Sequence, residues 1–453
     1  MTNGGIYKRM KIFIKYCAFI AAAASVLALM LGRFEIIPLS QSGMALITLL
    51  MASILLITEL IPLAVGAMVV PIALALTGVL SPTEAFSGFS NENVILFSAM
   101  FIVGGAMFRT GFAQLIGVLV TQNARGNSKH LLLYVMLVTA LFSSVMSNTG
   151  TVAVLLPICI GIADSSGIER RYILLPLAMT ASLGGMITLV GCPPNMTVSA
   201  VLEEYCQESI GFLEFAWIGI PATVIGCLFM FLAYKDKLPP LVDSSFLSQT
   251  PKFSKTQLAS AGIFLGVIII MATGIINLAL GASIGALVCL LIGLVNQKEA
   301  IEDIDWTTIF LFAGMLPLAD ALEKTGAGKL IADRMVGVMG QHASEFVILT
   351  LLFFTAALLT QFMSNTVACS LLAPIAAQIA LAMNANPKAV LLIIAAGSSA
   401  AFATPMATPP NTLVMGPAKV EFSDYFKIGV PLIAITYSVC MAIVMLKWPF
   451  FNV

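Results

Sequence analysis

The sequence predicts an all-α polytopic membrane protein: about 11 transmembrane helices plus two re-entrant hairpins, arranged as an inverted repeat. Two observations carry that reading. The 453-residue chain is 59% hydrophobic and only 10% charged, with a mean hydropathy of +1.02, whereas an ordinary soluble domain has about 25% charged residues. A chain so apolar cannot hide its side chains in one globular core, so lipid must be the solvent for much of it. The second observation is a duplication. Met-Ser-Asn-Thr occurs at residues 146–149 and again at 363–366, and Pro-Pro-Asn follows at 193–195 and 409–411. Upstream, Arg109-Thr110-Gly111 is answered by Lys324-Thr325-Gly326. The offsets agree: 325 − 110 = 215, 365 − 148 = 217 and 411 − 195 = 216. In a membrane chain, polar breaks at matching places in two halves point to a transporter's binding site.

Taken in order, the stretches long enough to span, at roughly 20 mostly apolar residues each, are 13–31, 41–60, 63–80, 93–121, 172–190, 212–233, 257–278, 280–297, 307–322, 389–407 and 428–448. The first follows Lys8, Arg9, Lys11 and Lys15, like the charged start of a signal peptide. It is longer than a typical h-region and has no clear cleavage site, so it reads as a retained helix. Two further stretches, 130–163 and 345–383, are interrupted midway by Ser-Asn-Thr. Non-helical backbone at membrane depth survives only where protein or a water-filled cavity surrounds it. Matching loops in both halves favour re-entrant hairpins with their tips near the midplane.

Charge placement sets the orientation. With the N-terminus inside and both stretches as hairpins, fifteen lysines and arginines fall on the inner face, including Lys129, Arg170, Arg171, Lys298 and Lys419. Six fall outside: Arg33, Lys324, Lys329, Arg334, Lys388 and Lys447. This obeys the positive-inside rule. The first hairpin then enters from inside and the second from outside, and the polar stretch 235–256 is the cytoplasmic linker between halves.

Each predicted midplane collects hydroxyls, a carboxamide and small residues: Ser143, Ser147, Asn148, Thr149, Gly191, Cys192 and Asn195, then Thr360, Ser364, Asn365, Thr366, Ala407, Thr408 and Asn411. Broken helices free carbonyls for a hard cation such as sodium. They also expose N-termini whose N–H groups attract an anion. Neither cluster holds Arg, Lys, Asp or Glu, so an antiporter with an essential intramembrane carboxylate is disfavoured. A multiply charged anion there needs co-bound cations. Arg109 and Lys324 are read as snorkelling to the interfaces, and Glu59 and Asp320 as helix anchors. Net charge is zero, which argues against a nucleic-acid partner. The eight cysteines show no paired spacing, His130 and His342 have no metal-ligand partners, and no nucleophile–base pair is visible, so no enzyme is expected.

The paired Ser-Asn-Thr tripeptides, each followed by Pro-Pro-Asn, resemble the divalent anion:sodium symporter (DASS) family of INDY-type dicarboxylate carriers over nearly the whole chain. The resemblance implies a homodimer in the cell inner (plasma) membrane with the N-terminus cytoplasmic, working as an elevator. Scaffold helices would occupy 1–124 and 257–343, and transport halves 125–234 and 344–453, with the linker at 235–256. One sodium site would be Ser143, Ser147, Asn148 and Gly191. The other would be Thr360, Met363, Asn365 and Ala407, with carbonyl oxygens from Met363 and Ala407, for two or more sodium ions in all. The small anionic substrate would touch Asn148, Thr149, Cys192, Ser364, Asn365, Thr366 and Thr408. Relatives often have Ser or Thr where this chain has Cys192, a weaker hydrogen-bonding group. Such carriers move C4-dicarboxylates, tricarboxylates or sulfate, and some exchange anions without sodium. The two intact motifs favour a C4-dicarboxylate such as succinate.

Overall fold

The computed structural model describes residues 3–112, 115–116, 127–165, 167–239, 253–339 and 344–450. Helix α1 (Asn3–Arg33) precedes two series of elements in the same order. The first contains α2 (Gln41–Thr58), α3 (Leu63–Thr77), short α4 (Pro82–Ala85), a 3-10 turn (Ser87–Ser90), α5 (Glu92–Arg109), α6 (Ser128–Ser143), α7 (Asn148–Ser165), α8 (Arg171–Gly184), α9 (Pro193–Cys206) and α10 (Ala216–Tyr234). The second contains α11 (Lys255–Thr273), α12 (Leu278–Leu291), α13 (Gln297–Asp303), α14 (Trp306–Lys324), α15 (Ala327–Met339), α16 (Glu345–Leu359), α17 (Asn365–Ala382), α18 (Pro387–Ser399), α19 (Pro409–Ala418) and α20 (Phe422–Lys447). Residues 113–114 and 117–126, and most of the linker 235–256, lie outside the described residues. No strand occurs among the described residues.

Packing repeats with the elements. Helix α3 packs on α14 as α12 packs on α5, and α6 lies on α8 as α16 lies on α18. The halves also interlock, since α9 packs on α17 and α19 on α7. Among the described residues, seven helices are long and apolar enough to cross a membrane, or eight if α13 and α14, bent by 60°, count as one span. Several sequence spans are shorter than read. The stretch 93–121 stops at Arg109, while 172–190 and 389–407 stop at Gly184 and Ser399. At 1.5 Å per residue, 13 or 14 residues cover about 20 Å, short of the ~30 Å hydrocarbon layer.

The Arg109/Lys324 motif is a helix stop joined to a tether. Gly111 and Gly326 take left-handed φ values of 77° and 70°, which glycine adopts without steric cost. The cation one turn back complements the helix C-terminus. Neither side chain simply snorkels. Arg109 makes a two-pronged bond to Asp303 (Nε–Oδ2 2.9 Å, Nη2–Oδ1 2.9 Å) and lies 3.5 Å from both Glu299 and Glu302. Lys324 Nζ lies 2.9 Å from Glu84. Each cation thus ties its helix to the short helix of the other repeat. The Glu84 carboxyl is held down to about 2, first by the Ser81 backbone N–H and then by Lys324.

All eight cysteines are free, with Cys159, Cys192, Cys289, Cys369 and Cys440 buried and Cys17 exposed. The pairs α6–α7 and α16–α17 give a labelling prediction. In a background lacking Cys17, cysteines placed at Lys129 and Gly167 should react from one side of the membrane. Those at Ser344 and Asn384 should react from the other. Labelling of Lys129Cys and Gly167Cys from opposite sides would overturn the hairpin reading.

Candidate functional site

Each hairpin tip is a helix end followed at once by a helix start. Helix α6 ends at Ser143, and Ser147 restarts the chain by accepting the Gly150 N–H at 3.1 Å. Ser364 does the same for Val367 at 3.3 Å, with extended φ/ψ of −65° and 150°. These are N-cap serines. They leave the first N–H groups of α7 and α17, at Asn148, Thr149, Asn365 and Thr366, without intrahelical acceptors.

The broken helices beside them are held by the Pro-Pro-Asn asparagines. Prolines at the first two positions of α9 and α19 cost no hydrogen bond there, because helix-start N–H groups lack partners anyway. The Asn195 amide donates to the carbonyls of Gly185 (3.1 Å) and Thr188 (2.7 Å). Asn411 donates to Ala401 and Thr404, both at 2.9 Å. Both are essentially fully buried. They were grouped with the polar clusters by sequence, but here they bind backbone seven and ten residues upstream. The breaks then grip the tips: the Thr188 hydroxyl donates to the Ser144 carbonyl, and Thr404 to the Gln361 carbonyl at 2.6 Å.

All of this converges on one cavity of about 230 Å³. Ser147, Asn148 and Thr149 line it together with Ser364, Asn365, Thr366, Pro193, Thr408 and Pro409. Four helix N-termini, those of α7, α9, α17 and α19, therefore meet there. Two spans turning at opposite membrane faces could not share so small a space. Its opposite wall comes from Leu63, Phe101, Asp305, Thr307, Thr308 and Leu311, which lie outside the two motifs. Asp305 belongs to neither polar cluster and adds a carboxylate to the cavity wall. Its only sequence signal is its position ahead of the span 307–322, where an N-cap is common. No lysine or arginine lines the cavity among the described residues. The volume lies below the ~300–1,000 Å³ of drug-sized pockets, so a solute of few heavy atoms fits.

Behind the first tip is a nest of oxygens. One end of the Asn148 carboxamide lies 2.7 Å from Ser143 Oγ and 3.2 Å from the carbonyl oxygens of Gly191 and Ala181. With only acceptors around it, that end is the NH2 group, assigned from the network. A hard cation among these oxygens would let the carboxamide oxygen turn in instead. The nest needs two glycines. A Cβ on Gly185 would strike the Asn148 carboxamide, and one on Gly191 would strike the Gly185 carbonyl. In the second half, Thr360 Oγ1 lies 3.2 Å from Asn365 Oδ1, with Thr360, Met363 and Ala407 buried around it. Cys192 is displaced from the expected set. It is buried with Sγ 3.4 Å from Ser399 Oγ and does not line the cavity, whereas its counterpart Thr408 does.

The asparagine clamps are testable. Asn195→Ala or Asn411→Ala removes the donor to two buried carbonyls, at roughly 1–3 kcal/mol for each group left unsatisfied. The midpoint of thermal unfolding in detergent should fall in both variants. An unchanged midpoint would mean that the breaks hold themselves.

Comparison with known proteins places this architecture. A family model described as a citrate transporter matches residues 53–387 and 342–452. An uncharacterized transporter of Haemophilus influenzae is 32% identical over 417 residues, covering 86% of this chain and 88% of that protein. A sodium-dependent dicarboxylate transporter of Staphylococcus saprophyticus is 24% identical, covering 82% of this chain and 80% of its own. Among solved structures, the YdaH transporter of Alcanivorax borkumensis matches with a TM-score of 0.58 at 16% identity, covering 81% of this chain and 88% of that one. This likeness supports the fold alone. With a repeated all-helical membrane fold around a cavity at four broken-helix ends, the chain belongs to the citrate transporter family, akin to the divalent anion:sodium symporters, and is a transporter.

Proposed function

We propose that the protein is a sodium-coupled symporter of a small divalent anion, with a C4-dicarboxylate such as succinate as first substrate. The carrying observation is that one small cavity is bounded by both Ser-Asn-Thr tips and both Pro-Pro helix starts, with no lysine or arginine lining it among the described residues. Carboxylates would be held by the N–H groups and hydroxyls of Asn148, Thr149, Asn365, Thr366 and Thr408, with Ser147 and Ser364 shaping the tips. Two or more sodium ions would sit behind the tips, one near Ser143, Asn148 and Gly191, another near Thr360, Met363, Asn365 and Ala407. The sodium-dependent dicarboxylate transporters of staphylococci, at 22–24% identity, support this choice. The family's citrate description favours a tricarboxylate as second reading. Sulfate symport and sodium-independent exchange rank below it, and ion antiport or oxyanion efflux lower still.

The working arrangement is an elevator in a homodimer of the inner membrane, with the N-terminus cytoplasmic. Residues 125–234 and 344–453 would move against scaffold segments 1–124 and 257–343, joined by the linker 235–256. Asp305 and Thr307 are exposed, so the cavity's mouth lies at the α13–α14 end. In the proposed orientation that end is cytoplasmic, and the state is inward-facing. Asn148 and Asn365 serve both ion and anion, so cation occupancy would orient the donors the anion needs.

Uptake of labelled succinate, citrate and sulfate into proteoliposomes, with and without a sodium gradient, tests the substrate. Calorimetry of the purified protein in sodium and in choline tests the coupling. Sodium should tighten dicarboxylate binding by about 5- to 150-fold, corresponding to a coupling of roughly 1–3 kcal/mol. Equal affinity in both salts would reject symport and leave an exchanger.

Side-chain changes separate the roles. Asn148→Ala or Thr366→Ala should abolish transport or weaken it severely, because a desolvated carboxylate loses partners. Ser143→Ala and Thr360→Ala should raise the sodium needed for half-maximal uptake. Arg109→Gln should leave anion affinity within a few-fold, since Arg109 is committed to Asp303 rather than the cavity. Loss of anion binding in folded Arg109→Gln would contradict a site built from neutral donors.

A further inference from the structure

We propose that Asp305 is a specificity-determining charge for this carrier: a fixed anion on the cavity wall that limits how many negative charges the solute can bring. The inference rests on the anion reading above and deepens it. Among the described residues, Asp305 is the only ionisable group lining the cavity. It comes from α14, facing tips that belong to other elements.

Asp305 is held in place. Its Oδ1 accepts the N–H groups of Thr307 (3.1 Å) and Thr308 (3.2 Å), and its Oδ2 accepts the Thr308 hydroxyl at 2.6 Å. This caps the N-terminus of α14. The cap does not require the charge. In the other repeat the matching position (305 − 91 = 214, as 306 − 92 = 214) is Asn91, which caps α5 by accepting the Asn93 N–H at 2.9 Å. Asn and Asp cap about equally well. One repeat uses a neutral cap and the other an anionic one, and the anionic one faces the cavity. Helix geometry leaves that difference unexplained.

Nor is the charge cancelled nearby. Among the described residues Asp305 has no ion-pair partner. Arg109 is engaged by Asp303, Glu299 and Glu302, and Lys298 reaches Glu302 at 3.9 Å. Asp305 stands exposed at the cavity mouth, so solvent and salt moderate its field on a bound anion without cancelling it. Coulomb energy scales with the product of charges. Every extra negative charge on the solute therefore adds a similar penalty, and a trianion suffers more than a dianion. The same carboxylate favours sodium. Its removal should tighten anions and weaken cations, a pair of opposite changes that a merely structural loss would not produce.

The experiment uses Asp305→Asn and Asp305→Ser, which keep a capping oxygen and remove the charge. Binding of succinate and of propane-1,2,3-tricarboxylate to purified full-length protein is measured by calorimetry in saturating sodium, at a pH where both are fully ionised. Sodium affinity is titrated in parallel. In both variants the tricarboxylate should gain about 3- to 10-fold relative to succinate, while the sodium needed for half-saturation rises. An unchanged anion ratio in variants that unfold at the wild-type temperature would overturn the role of Asp305 alone. A parallel loss of sodium and of both anions would reduce Asp305 to a structural cap. Wild-type protein that binds neither anion would reject the proposed function and this role together.

Discussion

Everything in the site depends on backbone that is not helical yet lies inside the protein. In an apolar interior an unpaired carbonyl or N–H costs several kcal/mol, so a broken helix persists only if something else satisfies it. Here that partner is one buried carboxamide in each repeat. Asn195 and Asn411 stand in the first turn of the restarting helix and donate back to carbonyls seven and ten residues earlier. The Thr188 and Thr404 hydroxyls extend the link to the hairpin tips. The chain can therefore expose four helix starts to one cavity while the irregular backbone after α8 and α18 stays hydrogen-bonded.

The duplication gives the fold its frame as well as its site. Arg109 and Lys324 stop matching helices and then reach acids on the short helix of the other repeat. Exposed ion pairs contribute little individually, but these two are placed where the halves meet. The Arg109–Asp303 fork adds directional bonds to a partly sheltered carboxylate. Space for it is reserved nearby: a Cβ on Gly105 would collide with the Asp303 carboxylate. Arg109 and Lys324 are thus spent on assembly, and among the described residues no lysine or arginine lines the cavity.

Much of this was legible before any coordinate. Hydropathy and the two Ser-Asn-Thr copies located the tips, because polar residues inside apolar runs are costly and stand out. The full-length spans at 172–190 and 389–407 were misread because hydropathy does not register a helix that ends at Gly184 or Ser399 when the irregular residues after it are equally apolar. Asn195 and Asn411 group with the polar clusters in the sequence, because composition cannot distinguish a carboxamide that binds a solute from one that binds its own backbone. Cys192 is expected at the substrate only through the family resemblance, at the position before Pro-Pro-Asn. Its backbone matches that of Thr408, and its thiol lies against Ser399. Asp305 stayed hidden because it belongs to no repeated motif, and its neighbours across the cavity lie far away in sequence.

The chemistry of the wall bears on why a carrier would avoid arginine here. A transporter must bind firmly enough to select and loosely enough to release. A guanidinium gives charge-assisted, two-pronged bonds that would hold a dicarboxylate regardless of sodium. Helix N-termini supply partial positive charge that falls off within a turn. In the proposed symport, a cation behind them, among the oxygens around Asn148, would strengthen that attraction. Asp305 would make the balance stricter, since its charge offsets part of the attraction that the helix N-termini offer an anion. Under that proposal, anion affinity would depend more steeply on the coupled ion than it would beside a fixed cation.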